Sequence, residues 1–365
     1  MLARVISVRG HKNVVFADAI IWGGVTDQLL FMRTVLGGET LSVGDLIDVE
    51  CQPSTNRAGK HVLAVSSISQ IHHSVSWHTG KDSSASGTGS DMRRDLLLNA
   101  CSGGDSIHVF WLKNRAVSEL RKLLCGEGFK ELQAPVLLGE DKGEASPARV
   151  ENPRMRDSVL RVTFERTLRD YAAIMLTSFF SIGSVFRNMG ENANHANEFL
   201  SMEFTALGYK EEHMLNLISR MVEMGKSLTS SSGVELNEGM DIIKTMEYET
   251  YKMEKESGTL PVQYVVVNMP TVSSFAEASS AGAHELRWYA CGHCIGHGYY
   301  DTITVADKES LDSPKSDSDA PTAIFNVADG WARPQSMSFG MGIDRWIMAL
   351  AGLENIVEST HPLGL

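Results

Sequence analysis

Two arginines stand in segments whose neighbours suggest anion chemistry. Arg187 follows the apolar run SIGSVF and precedes the polar loop NMGENANH, which carries His195 before the chain resumes as NEFLSMEF. Arg345 follows Gly340 and Gly342 in SFGMGIDRW. A guanidinium is always charged, and its planar fork matches phosphate oxygens. Glycines let backbone approach a bound group closely, and the start of the following helix favours anions. An arginine on a strand beside a loop, facing a second one at a glycine–helix junction, makes a reasonable phosphate clamp. Phe199 offers a ring for stacking on a base. The ordinary alternative for each arginine is a salt-bridge partner.

A second candidate is CGHCIGHGYYD, from Cys291 to Asp301. Cys291 and Cys294 have C-x-x-C spacing, with His293 and His297 beside them and His284 upstream. Thiolate and imidazole together suit Zn²⁺. There is only one such cysteine pair, however, and alternate residues of a strand face opposite sides, so the two thiols point apart unless a bulge intervenes. Buried or cavity-lining cysteines are the expectation, and no metal site is assigned.

The elements that must position these residues change character along the chain. Residues 1–77 read as all-β: ARVISVRGHKNVVFADAII, DQLLFMRTV, LSVGDLIDVECQ and NRAGKHVLAVSSISQI are short Val- and Ile-rich runs separated by turn residues, which suggests a small barrel of the OB type. Residues 78–91, HTGKDSSASGTGSD, cannot build a core and read as a linker. From residue 92 helices and strands mix. Val109, Leu112, Val117, Leu120, Leu123 and Leu124 recur at near-helical spacing until Gly126 and Gly128 break the pattern. A strand leading into a helix is expected over 159–174, two strands around the loop after Arg187, and a strand, glycine turn and helix around Arg345. Largely antiparallel strands with helices interspersed make the fold class α+β.

Composition narrows the function. The formal net charge is −12, so any nucleic-acid contact must be local rather than spread over a basic surface. Five cysteines without a disulfide framework fit a reducing compartment. No apolar run reaches membrane-spanning length, and a cytoplasmic location without membrane contact is expected.

The order of these pieces resembles the class II aminoacyl-tRNA synthetases. AVSELRKLLCGEGFKELQAPVLL looks like their motif 1, SIGSVFRNMGENANHANEFLSMEF like motif 2 and FGMGIDRWIMALAGLENI like motif 3. An OB-like module ahead of them resembles the lysyl, aspartyl and asparaginyl subgroup, and the ungapped match of LRVTFERTLRDYAAIMLTSFFSIGSVFRN is closest to the lysyl branch. The resemblance implies an N-terminal OB-fold, the candidate anticodon-binding module, followed over 92–365 by a catalytic domain with an antiparallel sheet flanked by helices. It implies formation of an aminoacyl adenylate from ATP and transfer to tRNA. Arg187 and Arg345 are then catalytic. Arg187, His195, Phe199, Gly342 and Arg345 bind ATP, and Glu165, Glu203, His297, Tyr299 and Asp301 bind the amino acid. Mg²⁺ is expected through the phosphates, and a homodimer through the segment near Gly128 to Leu138. Phe16, Phe31, Arg33 and Lys60 are the available nucleic-acid contacts of the N-terminal module.

A cationic side chain needs a carboxylate partner when buried, and the acid at Asp301 disfavours an acidic substrate. Glu165, Glu203 and Asp301 therefore suit a cationic or non-standard amino acid; the ordinary alternative makes Glu165 and Glu203 solvated strand-face charges. The chain also departs from the family pattern. Met189 stands where lysyl enzymes carry a nucleotide-contacting Glu, and Asn194 where they carry Arg. Cys294 and Arg287 fall on the two acidic magnesium positions, although Glu285 is close. A thiol is a poor Mg²⁺ ligand, and Arg287 either repels the ion or stands in for it. A stand-alone ligase acting on a small molecule or protein, and a non-catalytic paralogue, are the alternatives.

Overall fold

The computed structural model describes residues 1–21, 25–73, 106–138, 147–150, 158–188, 190, 192–270, 284–300 and 336–360. The chain divides into two compact units, Met1–His108 and Val109–Gly364. The boundary expected at 78–91 lies outside the described residues, as do Met189 and Asp301.

The first unit is a closed five-stranded barrel. Its strands are β1 (Leu2–Gly10), β2 (Val14–Ile21), β3 (Val25–Met32), β4 (Leu46–Thr55) and β5 (His61–His72), in the order β1-β2-β3-β5-β4. A short helix α1 (Arg33–Leu36) follows β3. The β3–β5 pair is parallel, and β1 closes on β4 antiparallel. Strand period two sends Val15, Ala17 and Ala19 of β2 inward, where they meet Val5, Leu29, Phe31, Ile47 and Val49. Irregular register at Val5/Ser7 of β1 and at two steps of β4 supplies the bends that closure needs. Phe31 is fully buried in this core, so it cannot stack on a base, which corrects the expectation for that residue. DQLLFM is apolar at consecutive positions, and only the barrel decides which of them face inward. Phe16 is half-buried, its ring edge-on to His11, while Arg33 and Lys60 are exposed.

The second unit is built on an eight-stranded sheet in the order β11-β12-β13-β14-β15-β10-β9-β6. These are β6 (Lys130–Glu131), β9 (Phe179–Phe186), β10 (Glu198–Leu207), β11 (Lys244–Glu247), β12 (Gln263–Pro270), β13 (His284–Ala290), β14 (His293–Tyr300) and β15 (Ser336–Gly342); β7 (Leu137–Leu138) and β8 (Val159–Leu160) pair separately. The two outermost pairings, β11–β12 and β6–β9, are parallel, and the rest are antiparallel.

One face of the sheet carries the core. Met202, Phe204 and Ala206 of β10 and Met337, Phe339 and Met341 of β15 pack against the helices α2 (Ser106–Gly126) and α4 (Glu211–Ser232). The buried stripe of α2 runs Leu112, Ala116, Leu120, Leu124, one residue every four. Val117 and Leu123 are only partly buried, because small Ala116 occupies the contact line instead. The helix α6 (Ile343–Ala351) is buried on nearly all sides, and its Asp344 pairs with Lys113 of α2. The helices α3 (Glu165–Met175) and α5 (Tyr248–Ser257) complete the unit. Among the described residues no helix is long and apolar enough to cross a membrane.

Candidate active site

The other face of the sheet carries a cavity of about 610 Å³, within the range of ~300–1,000 Å³ usual for small-molecule sites. Strand pairing builds its floor in rows. Arg287 of β13, His297 of β14, Gly340 of β15 and Glu203 of β10 are successive cross-strand partners. The next row is Glu285, Tyr299, Ser338 and Thr205. On the far side, Gly342, Ser201 and Gly183 form a third. With strands about 4.8 Å apart, Arg287 and Glu203 stand roughly 14 Å from one another across the floor. Gly340 lies between them because a Cβ there would meet Glu203 Cγ at 3.1 Å.

The same parity separates the two in-line carboxylates. Residues five apart on a strand point to opposite faces. Glu198 is exposed at the start of β10, whereas Phe199, Ser201 and Glu203 face the cavity. Glu203 is 7% exposed. Its Oε2 accepts from Thr163 Oγ1 at 2.5 Å and from the Phe164 N–H at 2.8 Å, and its Oε1 accepts from Ser201 Oγ at 3.2 Å. Burial pushes its carboxyl up, while these three bonds and the Arg187 charge oppose the shift. Glu203 is therefore no solvated strand-face charge. Glu165 is not on a strand at all: it opens α3, lines the cavity and pairs with Arg169 at 3.5 Å. Thr163 couples the two, since its Oγ1 also accepts the Glu165 N–H at 3.2 Å.

Arg187 leaves β9 with its guanidinium 5.2 Å above the Phe199 ring. Among the described residues its guanidinium donates two long bonds, both 3.4 Å, to Val162 O. Arg345 sits in the first turn of α6. It donates to Cys294 O at 3.0 Å and twice to Asn194 O, so it ties the 192–196 loop to the end of β14. Neither arginine forms an ion pair with a described carboxylate. Each keeps N–H donors for a ligand, because a guanidinium has five.

The histidines of the cavity are held neutral. Burial lowers His297, and the Arg187 and Arg287 charges add to that effect against the opposing Glu285. Burial first, then Arg345 and Arg187, lower His195; His293, which is not among the cavity's lining residues, is lowered by burial and Arg345. A histidine depressed in the fold contributes stability that is complete above its unfolded value near 6.5 and is lost as pH falls through its folded value. The melting temperature therefore falls between pH 7.5 and pH 5.5. In His297→Asn that fall becomes smaller, as melts at the two pH values will read out.

Of the residues expected at the site, Glu165, Arg187, His195, Phe199, Glu203, His297, Tyr299, Gly342 and Arg345 all line this one cavity. Asp301 lies outside the described residues. The sequence reading missed Thr163 and Arg161. Arg161 is buried, and donates to Ser184 O at 2.8 Å and Ala134 O at 2.6 Å. It thereby fastens the segment before β7 to β9, and Gly183 leaves it room. Nothing in the local pattern distinguishes such a backbone-anchoring arginine from a surface one.

The donor set does not fit the magnesium site implied by the family pattern. Arg287 and Cys294 both line the cavity, and Arg287 Nε donates to Glu285 Oε1 at 2.7 Å. Mg²⁺ takes hard oxygen ligands in octahedral geometry. Among the described residues, Glu285 Oε2 is the carboxylate oxygen left without a hydrogen-bond partner at that end of the floor, and no group of three His, Cys, Asp or Glu side chains could hold a metal. Cys291 and Cys294 do not converge either. Cys291 sits at a turn with φ +50° and accepts from Asn237 Nδ2 at 3.3 Å on the core side.

Comparison with known proteins agrees with this geometry. The family model described as tRNA synthetases class II (D, K and N) matches residues 97–327, which ends before β15 and Arg345. The lysine–tRNA ligase of Pediococcus pentosaceus is 22% identical over 308 residues, covering 82% of this chain and 61% of that protein. The Dehalococcoides mccartyi (strain BAV1) lysine–tRNA ligase is 26% identical over 235 residues, or 61% of this chain and 46% of that protein. The Streptococcus mutans lysine–tRNA ligase is 28% identical over 151 residues, or 41% and 30%. The chain thus spans less than two thirds of the length of each of these relatives.

Proposed function

The chain belongs to the class II tRNA synthetases of the D, K and N group, and on that premise we propose that its cavity activates an amino acid with ATP and passes it to tRNA. The observation that carries this reading is the pairing, in one cavity, of two arginines without a carboxylate partner among the described residues and a buried, hydrogen-bonded Glu203. The first pair suits a polyanion, and the second feature suits an ammonium group.

In this reading the amino acid carboxylate attacks the α-phosphorus of ATP, a P–O bond to the leaving pyrophosphate breaks, and an aminoacyl adenylate remains. The chain positions reactants and neutralises charge. Arg187 holds the α-phosphate and the attacking carboxylate. Arg345 and His195 hold the phosphates farther out, Phe199 stacks on adenine, and Gly342 lets the backbone come close. Glu203 and Glu165 orient the amino acid with His297 and Tyr299, and Asp301 is assigned to the same pocket. Two carboxylates favour a cationic amino acid, lysine-like or non-standard. The five-stranded barrel, with β3 and β5 parallel, is read as an OB-fold that contacts tRNA through Phe16, Arg33 and Lys60.

The position of Arg287 and Cys294 favours a second reading, a paralogue with altered chemistry: either a ligase whose acceptor is a small molecule or protein, or a protein that binds without catalysing. A tRNA gel-shift assay separates the acceptors, since a ligase of the second kind gives no shift.

Homodimerisation is part of the proposal. Val136 and Leu137 near the motif 1 segment, and Tyr171, Ile174, Met175 and Leu176 at the end of α3, are large apolar side chains left exposed. Sedimentation at micromolar concentration should give twice the 40.0 kDa chain mass. A single species at the chain mass would remove the dimer from the account.

A further inference from the structure

We propose that the guanidinium of Arg287 takes the place of a divalent cation beside the phosphates, so that this cavity binds a nucleoside triphosphate without a metal ion. The inference rests on the nucleotide reading above and deepens it.

Placement supports it first. Arg287 stands on the cavity floor in the row that continues through His297 and Gly340 to Glu203. It is neither a surface residue nor a loop residue. Glu285, itself 2% exposed, fixes the guanidinium through its Nε, and the Tyr289 side chain hydrogen-bonds it as well, so that the remaining N–H donors of its five are left to a ligand. The hydrogen bond to Glu285, with the bond to Tyr289 and the Glu285 charge, outweighs the opposing effect of burial and keeps the charge in place at any accessible pH.

The charge pattern supports it second. Arg187, Arg287 and Arg345 line one cavity. The fields of Arg187 and Arg287 both act on His297, and those of Arg287 and Arg345 both act on Cys294, so the three cations surround a common space. Glu285 is charge-balanced by its ion pair with Arg287, and the two cavity histidines, His195 and His297, are pushed toward the neutral form. A triphosphate carries several negative charges over a short length. Three guanidiniums can meet it with planar forks, each matching two oxygens.

The donor set supports it third. Among the described residues, a divalent ion at this end of the floor would meet one carboxylate oxygen, Glu285 Oε2, and a thiol, with a fixed positive charge beside both. Like charges at contact repel strongly where water is excluded. The same residues that make a poor cation site make a good phosphate site.

The test is ATP binding to the full chain, measured by calorimetry in Mg²⁺ and again in EDTA. The inference predicts a dissociation constant that changes by less than ~3-fold between the two buffers. Arg287→Gln should weaken binding in EDTA by ~10-fold or more, the weight of one charge-assisted contact. Arg287→Glu combined with Cys294→Glu should make binding require Mg²⁺. Binding by the unmodified chain that disappears in EDTA and returns with Mg²⁺ would overturn the inference and leave the nucleotide reading standing. Absence of ATP binding in both buffers would overturn the nucleotide reading and this inference with it. Circular dichroism establishes that each variant is folded, and if one is not, the comparison of buffers on the unmodified chain decides alone.

Discussion

Arg345→Ala lowers amino-acid-dependent ATP–pyrophosphate exchange by about 10²–10³-fold, the usual loss when one preorganised charge-stabilising donor is removed. The size of the effect follows from what surrounds the residue. Arg345 is half-buried, and among the described residues its only bonds are to two backbone carbonyls, Asn194 O and Cys294 O. Those bonds aim the guanidinium without neutralising it. Burial lowers its pKa, which means that the unliganded charge is unfavourably placed and that an incoming anion relieves it. Arg345→Lys keeps a charge but loses the fork, and should recover only part of the exchange. The alanine variant also frees the 192–196 loop that carries His195, so its melting temperature should fall moderately. A variant that is folded and exchanges at the original rate would remove Arg345 from the chemistry.

Asp344→Ala should be the most destabilising single change described here, costing about 3–5 kcal/mol in chemical denaturation. Asp344 is 1% exposed, yet carries a carboxylate. Its Oδ2 accepts the Leu200 N–H at 2.7 Å, and its other oxygen pairs with the Lys113 ammonium, whose side chain is 14% exposed. Truncation leaves an ammonium facing an apolar cluster with nothing to balance it, and leaves a strand N–H without an acceptor. Pairing Asp344→Ala with Lys113→Met should return part of the loss, because the stranded charge goes too. Only the Leu200 N–H then stays unpaired. A full loss that the double variant does not relieve would show that the backbone contact, rather than the ion pair, holds α6 to α2 and β10.

Much of the site could be read before any coordinates. The strand–loop–strand around Arg187 and the strand–helix around Arg345 are short-range patterns, and they deliver Arg187, His195, Phe199, Glu203 and Arg345 to one cavity. Other features depend on partners far away in the chain. The row that joins Arg287 to Glu203 needs the register of four strands, and β13 and β14 slip at Trp288/Tyr289. Arg161 and Lys113 look like ordinary surface cations in sequence, because nothing local announces the carbonyls or the carboxylate that receive them. Phe31 looked available because consecutive apolar residues do not say which of them face inward, and Ala116 was passed over for its bulkier neighbour Val117. Short-range chemistry was legible, and non-local register and burial were not.

The central claim is that this cavity makes an aminoacyl adenylate. Amino-acid-dependent ATP–pyrophosphate exchange, run on the purified chain with a panel of standard and diamino acids, tests it most directly. The account predicts exchange with one cationic amino acid, lost in both Glu203→Gln and Arg345→Ala. No exchange with any member of the panel, from protein shown to be folded and to bind ATP, would contradict it and leave a nucleotide-binding protein that does not activate these amino acids.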